Sequence, residues 1–150
     1  MNFNNFTIKS QEAVQEAVNL VQSRGQQAIE PEHLMAGLLK VGKNVTNFIF
    51  QKLGINGQQI ETVLDQQIAS LPKVSGGEAY LSRSANEVLQ KAVEVSKELG
   101  DEYVSLEALL LALLNVKSTV ATILKDAGLT DKELRAAIQE LRQGQKVTSQ

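Results

Sequence analysis

The single histidine of this 150-residue chain, His33, stands in the run Glu30-Pro31-Glu32-His33. An imidazole among carboxylates is the kind of cluster from which metal sites and general acid–base pairs are built. The remaining parts of either device are missing. A structural zinc site takes about four converging ligands, and the chain has no cysteine and no second histidine. No Ser, His and Asp set can be assembled around so isolated an imidazole. Without cysteine there is also no thiol nucleophile, zinc knuckle or disulfide framework. No glycine-rich loop followed by Lys and Ser/Thr occurs, so no phosphate cradle is expected. His33 therefore reads as a structural or solvated residue, the scattered carboxylates read as helix surface, and catalysis is not expected.

Charge and hydropathy narrow the remaining classes. Fifteen Lys and Arg stand against seventeen Asp and Glu, a net charge of −2, all of it in residues 76–150. Nucleic-acid binding needs a basic stripe, and none is present. The longest apolar run, "ALLLALL", is far shorter than the roughly 18 residues of a membrane span. The opening "MNFNNFTIKS" has neither a basic start nor an apolar run, so no signal peptide is expected and a cytoplasmic protein is implied. With 43% hydrophobic residues, a chain of this length can bury roughly two thirds of its unfolded surface in one core.

The elements that must fill that core are written twice. Glu12, Ala17, Val18, Gly25, Glu32, Leu34, Leu38 and Leu39 return 75 residues later as Glu87, Ala92, Val93, Gly100, Glu107, Leu109, Leu113 and Leu114. After a one-residue slip, Ile49 and Gly54 return as Ile123 and Gly128. Internal repetition of this kind sets the architecture. The two copies, about residues 7–71 and 82–143, are joined by "LPKVSGGEAY", a Pro- and Gly-bearing stretch that reads as an exposed loop. Within each copy the apolar residues follow a helical period, as in Ala13, Val14, Ala17, Val18 and Val21. The spacing predicts four helices per copy. In the first they run from after Thr7 to about Arg24, from Pro31, from Val45 to Leu53, and from an Asn56 cap with Gln59 three residues on. The second ends with a helix capped by Thr130, with Glu133 reaching back. No stretch alternates with period two, so strands are not expected. The fold class is all-α: eight helices as two four-helix repeats about a pseudo-twofold axis, with the leucines at 34, 38, 39, 109, 113 and 114 in the core.

The runs "AIEPEHLMAGLL", "LPKVSGG", "GDEYVSLEALLLALL" and "ILKDAGLT" together resemble the double-repeat N-terminal domain of the Clp/Hsp100 chaperones, and within them the ClpB type. ClpC-type domains tend to carry a Gly-Thr-Glu-His-Ile-Leu-Leu-Gly run in both halves, whereas only the first half here keeps the Glu-His. The resemblance spans about residues 6–142. It implies a domain over residues 1–143, with residues 144–150 starting a flexible linker to two ATPase modules of a hexameric ring. The module would bind exposed apolar segments of unfolded or aggregated proteins and pass them to the ring of a disaggregase, which would work with a co-chaperone system. No cofactor is expected in this chain; ATP and magnesium would belong to the ATPase modules. The isolated domain would be a monomer.

The resemblance also implies site residues. Thr7, Asp101 and Glu107 match positions implied in chaperone function, although each suits a structural task too: a helix cap, a residue after a helix-ending glycine, and an acid in a first helical turn. An apolar docking surface beside them would involve Leu89 and Ala108, and the smaller Ala108, where relatives often have leucine, makes that patch shallower. Two other readings stand beside this one. In a ClpC- or ClpA-like receptor for adaptors or tagged substrates, Glu32 and Glu107 at equivalent helix starts would meet basic groups on a partner. The other is a stand-alone helical scaffold.

Overall fold

The computed structural model describes residues 2–150, which form eight helices. The first repeat holds α1 (Ile8–Ser23), α2 (Pro31–Val41), α3 (Lys43–Leu53) and α4 (Gly57–Ala69). The second holds α5 (Arg83–Glu98), α6 (Leu106–Asn115), α7 (Thr119–Asp126) and α8 (Asp131–Arg142). Adding 75 to both bounds of α1 gives those of α5. Local chemistry sets most boundaries. Thr7, Asn56, Ser82, Ser105, Ser118 and Thr130 each turn a side-chain oxygen to the backbone N–H three residues on, pairing a donor that the helix itself leaves free. Glu133 meets the Thr130 hydroxyl, at 3.1 Å, rather than its backbone N–H. α3 starts at Lys43, two residues before the expected Val45, after Gly42, which supplies no side-chain cap for a sequence pattern to reveal.

Two leucine-rich helices, α2 and α6, form the centre. Leu34, Leu38, Leu39, Leu109, Leu113 and Leu114 are all buried there. α1 lies on α2 and α5 on α6, while α2 touches α6 across the pseudo-twofold axis. α3 packs on α8, and its symmetry counterpart α7 packs on α4, so each repeat closes the other's core. Gly37 explains how near α1 and α2 come, because a Cβ added there would collide with the Ala13 carbonyl.

Short strands are present after all. β1 (Ala28–Ile29) pairs in parallel with β2 (Tyr80–Leu81), and Phe6 bridges Val104, also in parallel. One- and two-residue pairings are too short to leave a period-two pattern. They obey the repeat symmetry: the shift of 75 carries Phe6 to Leu81 and Ile29 to Val104, so the Phe6–Val104 bridge is the counterpart of the Ile29–Leu81 pair.

Residues 71–80 form the mostly exposed junction, pinned to the first repeat where the Val74 N–H donates to the Gly25 carbonyl at 2.9 Å. After α8 the chain turns at Gln143 and Gly144, both with positive φ, and folds back. The expected start of a tether thus lies along the domain: the Val147 N–H donates to Asp101 Oδ1 at 2.9 Å and the Val147 carbonyl accepts from the Glu102 N–H at 2.8 Å.

Candidate functional site

Asp101 and Glu107 converge on one cation. Asp101 follows Gly100, whose φ of +76° turns the chain out of α5, and Glu107 occupies the first turn of α6. Between them Arg142, the last residue of α8, places Nη1 3.0 Å from Asp101 Oδ1 and 2.9 Å from Oδ2, and Nε 3.0 Å from Glu107 Oε1. Its Nη2 donates to Ser105 Oγ at 2.8 Å, the same hydroxyl that caps α6. The side chains are buried, Asp101 completely and Arg142 to 6% exposure. An arginine fork is suited to holding two carboxylates in fixed geometry. Here it clasps the end of α8 to the α5–α6 turn. Sequence reasoning did not reach Arg142, since its partners lie 35 and 41 residues away and no local pattern announces them.

The other expected site residues sit apart from this clasp. Thr7 caps α1, accepting from the Ser10 N–H at 3.1 Å and donating to Ser10 Oγ at 2.8 Å. It is joined to the clasp's neighbourhood through its own N–H, which donates to the Val104 carbonyl at 3.0 Å. Leu89 and Ala108 have no exposed surface. Leu89 belongs to α5 and Ala108 to α6, and both side chains lie in the core beneath the α5–α6 turn.

Glu32 and Glu107 are repeat mates with unlike surroundings. Helix α4 maps onto α8 with a shift of 74, which places Ile68 where the second repeat has Arg142. Glu107 is ion-paired, whereas Glu32 is buried without a cation, and desolvation raises its pKa against the smaller opposing pull of a hydrogen bond to its own backbone.

His33 is structural. Fully buried, it accepts the Glu30 N–H on Nδ1 at 2.9 Å, so Nε2 carries the proton and donates to Gln26 Oε1 at 2.7 Å. Gln26 Nε2 in turn donates to the Ile68 carbonyl at 2.7 Å, near the end of α4. Burial first, and the Arg24 charge second, lower the imidazole pKa to about 4. Protonating Nδ1 would also set one N–H against another.

The surface clefts lie elsewhere. One of about 580 Å³ opens between α3 and α4 over Leu39, Phe50 and Ile55, with Lys43 and Glu61 on its rim. A neighbour of about 420 Å³ crosses α2 to α1 beside the Lys40–Glu16 ion pair, 3.0 Å long. Among the described residues no group of three or more His, Asp and Glu side chains is placed to hold a metal ion, and no single helix is long and apolar enough to cross a membrane.

Eight helices in two symmetry-related repeats, with central leucine helices and swapped outer ones, define a double-repeat all-α domain. The family model of the Clp repeat N-terminal domain matches residues 5–127, and the chain belongs to that family. All 150 residues are similar to part of the chaperone protein ClpB of Bacteroides thetaiotaomicron, at 79% identity, and of Porphyromonas gingivalis, at 51%. The chain spans 17% of the length of either relative, corresponding to the N-terminal region of ClpB. Among solved structures, the Hsp104 N-terminal domain from Candida albicans superimposes with a TM-score of 0.85 at 22% identity, covering 97% of each chain. A complex of the ClpV N-domain with a VipB peptide gives 0.76 at 18% identity, over 95% of this chain and 89% of that one.

Proposed function

We propose that this chain is the substrate-engaging module of a ClpB-type, ATP-driven disaggregase, binding exposed segments of unfolded or aggregated proteins and passing them to a hexameric ATPase ring. The observation that carries this reading is the 79% identity to a ClpB chaperone over every residue. A peptide complex of a structural neighbour, the ClpV N-domain, supports protein segments as the ligand class. The module itself does no chemistry in this reading; ATP, magnesium and hydrolysis belong to other parts of the machine, which acts in the cytoplasm with a co-chaperone system. Thr7, Asp101 and Glu107 serve it by holding the α1 start and the α5–α6 turn in place, and Leu89 and Ala108 form the floor beneath.

The test has two arms. Reduced, carboxymethylated α-lactalbumin, which stays unfolded, should bind the 150-residue chain saturably, whereas calorimetric titration with ATP and magnesium should give no saturable heat. Disaggregation by the full-length machine should then fall when the module is deleted. Absence of binding to the unfolded protein, or saturable binding of ATP, would sink the proposal.

A further inference from the structure

We infer that residues 145–150 are a strap that opens and closes: docked along the α5–α6 turn and the start of α1, it shortens the tether on which this domain is carried, and released it lengthens that tether. The docked contacts lie on both repeats. Both polar groups of the Val147 backbone are taken, its N–H donating to Asp101 Oδ1 at 2.9 Å and its carbonyl accepting from the Glu102 N–H at 2.8 Å. Three residues on, the Gln150 carbonyl accepts the Ile8 N–H at 3.1 Å. That N–H lies in the first turn of α1 and has no partner inside the helix. Gln150 Nε2 adds a bond to the Asn4 carbonyl at 2.6 Å. The stem of Lys146 passes so near Gly100 that a Cβ there would lie 3.3 Å from its Cε, so the glycine that ends α5 also leaves room for the strap.

The path of the strap is part of the repeat. The shift of 74 that carries α4 onto α8 carries residues 71–76 onto 145–150. After α4 the junction returns to the α1–α2 turn, where the Val74 N–H meets the Gly25 carbonyl, and continues to the start of α5. The tail does the same one repeat later, returning to the α5–α6 turn and reaching the start of α1. Even the latch is repeated with its polarity reversed. Gln26 Nε2 donates to the backbone carbonyl of Leu71, whereas its repeat mate Asp101 accepts the backbone N–H of Val147. Arg142 holds the Asp101 carboxylate in place, so the latch is set before the strap docks. Of the strap residues only Val147 is half-buried, and the rest are exposed. A segment held by so few bonds belongs to the parts of a fold that open locally. The consequence for the tether rests on the reading of this chain as a module carried by a ring. Docking makes the following chain depart beside Asn4 and Ile8, and opening frees residues 145–150, up to about 20 Å of extra reach.

The experiment compares the 150-residue chain with Val147→Pro, which lacks the N–H that Asp101 accepts, with Val147→Ala, which keeps it, and with a form ending at Gly144. Backbone order parameters of residues 146–149 should be near 0.85, about the value of a rigid fold, in the parent and in Val147→Ala, and should fall below about 0.6 in Val147→Pro. The amide protons of Ile8 and Glu102 should exchange about tenfold faster in Val147→Pro and in the shortened form, with that of Leu109 in the core unaltered. In the full-length machine, energy-transfer distances between a dye on Gln66→Cys, an exposed position of α4, and a dye on the ring should spread to longer values in Val147→Pro. A parent tail with order parameters below about 0.6, or unaltered exchange in both altered forms, would overturn the strap and leave the substrate-engaging module standing. Unaltered distances in the full-length machine would overturn the two-length tether. Disaggregation that survives deletion of the module would overturn the module reading, while an ordered tail in the 150-residue chain would still uphold the strap.

Discussion

Lowering the pH should destabilise this domain through one imidazole, and the size of the effect follows from where it sits. His33 is enclosed, accepts a backbone N–H on Nδ1 and donates from Nε2 to Gln26, so its neutral form alone fits. Its pKa falls from 6.5 to about 4 on folding. A group depressed in the folded state contributes its stability in full above the unfolded pKa and loses it as pH falls through the folded one. The window is therefore pH 6.5 down to about 4, below which the loss levels off. At about 1.4 kcal/mol per pKa unit, the change amounts to roughly 3 kcal/mol, a large share of a typical domain's stability. Urea unfolding of the wild-type chain and His33→Gln, followed by circular dichroism from pH 7 to pH 4, isolates this term, because the carboxylates common to both proteins cancel in the difference. The wild type should lose about 3 kcal/mol more than the variant across the window. As the chain's only histidine, the ring can be titrated directly in tag-free protein by its carbon-bound proton resonances. Parallel pH profiles for the two proteins, or a ring titrating near its ordinary value in the folded state, would refute the reasoning.

Other outcomes follow from the same packing. Arg142→Met strands Asp101 and Glu107 beside each other with little solvent, and chemical denaturation should show a loss of about 3–5 kcal/mol. Leu38→Ala and Leu113→Ala, in symmetry-related core positions, should each cost about 2–5 kcal/mol; losses below about 1 kcal/mol for both would contradict their place in the core. Because burial raises the Glu32 pKa, ionising it works against folding, so Glu32→Gln should raise the melting temperature at neutral pH, with the gain shrinking as the medium is acidified.

The repeat, the helix class and the central leucines could be read from the sequence because each is a local or periodic signal: caps, glycine stops and apolar spacing act within a few residues of where they are written. Even so, α3 begins earlier than its apolar pattern, since Lys43 and Asn44 are surface residues without periodic content. The candidate site was less legible. Thr7 as a cap is a three-residue affair and could be anticipated. The partnership of Asp101 and Glu107 with Arg142 depends on α8 crossing back over the α5–α6 turn, which no spacing encodes. Leu89 and Ala108 carry the same apolar signal whether they face a partner or the core, so periodicity alone could not tell a docking surface from an interior. The tail composition, rich in Gly, Gln and Ser, spoke for a loose tether, yet its backbone bonds to residues 101 and 102 are independent of composition.

The paired bridges, Phe6 with Val104 and Ile29 with Leu81, each join one repeat to the other. Together with the exchange of α3 and α7 between halves, they make the molecule a dimer that happens to be covalent: its internal contact is self-complementary, as in an association of two identical subunits. The loop at Gly76 and Gly77 is then a connector, not a support. A chain cut there should remain a tightly held pair of fragments, neither half should fold by itself, and a circular permutant opened at that loop should keep the architecture if its original ends are joined with enough slack to leave the tail in place.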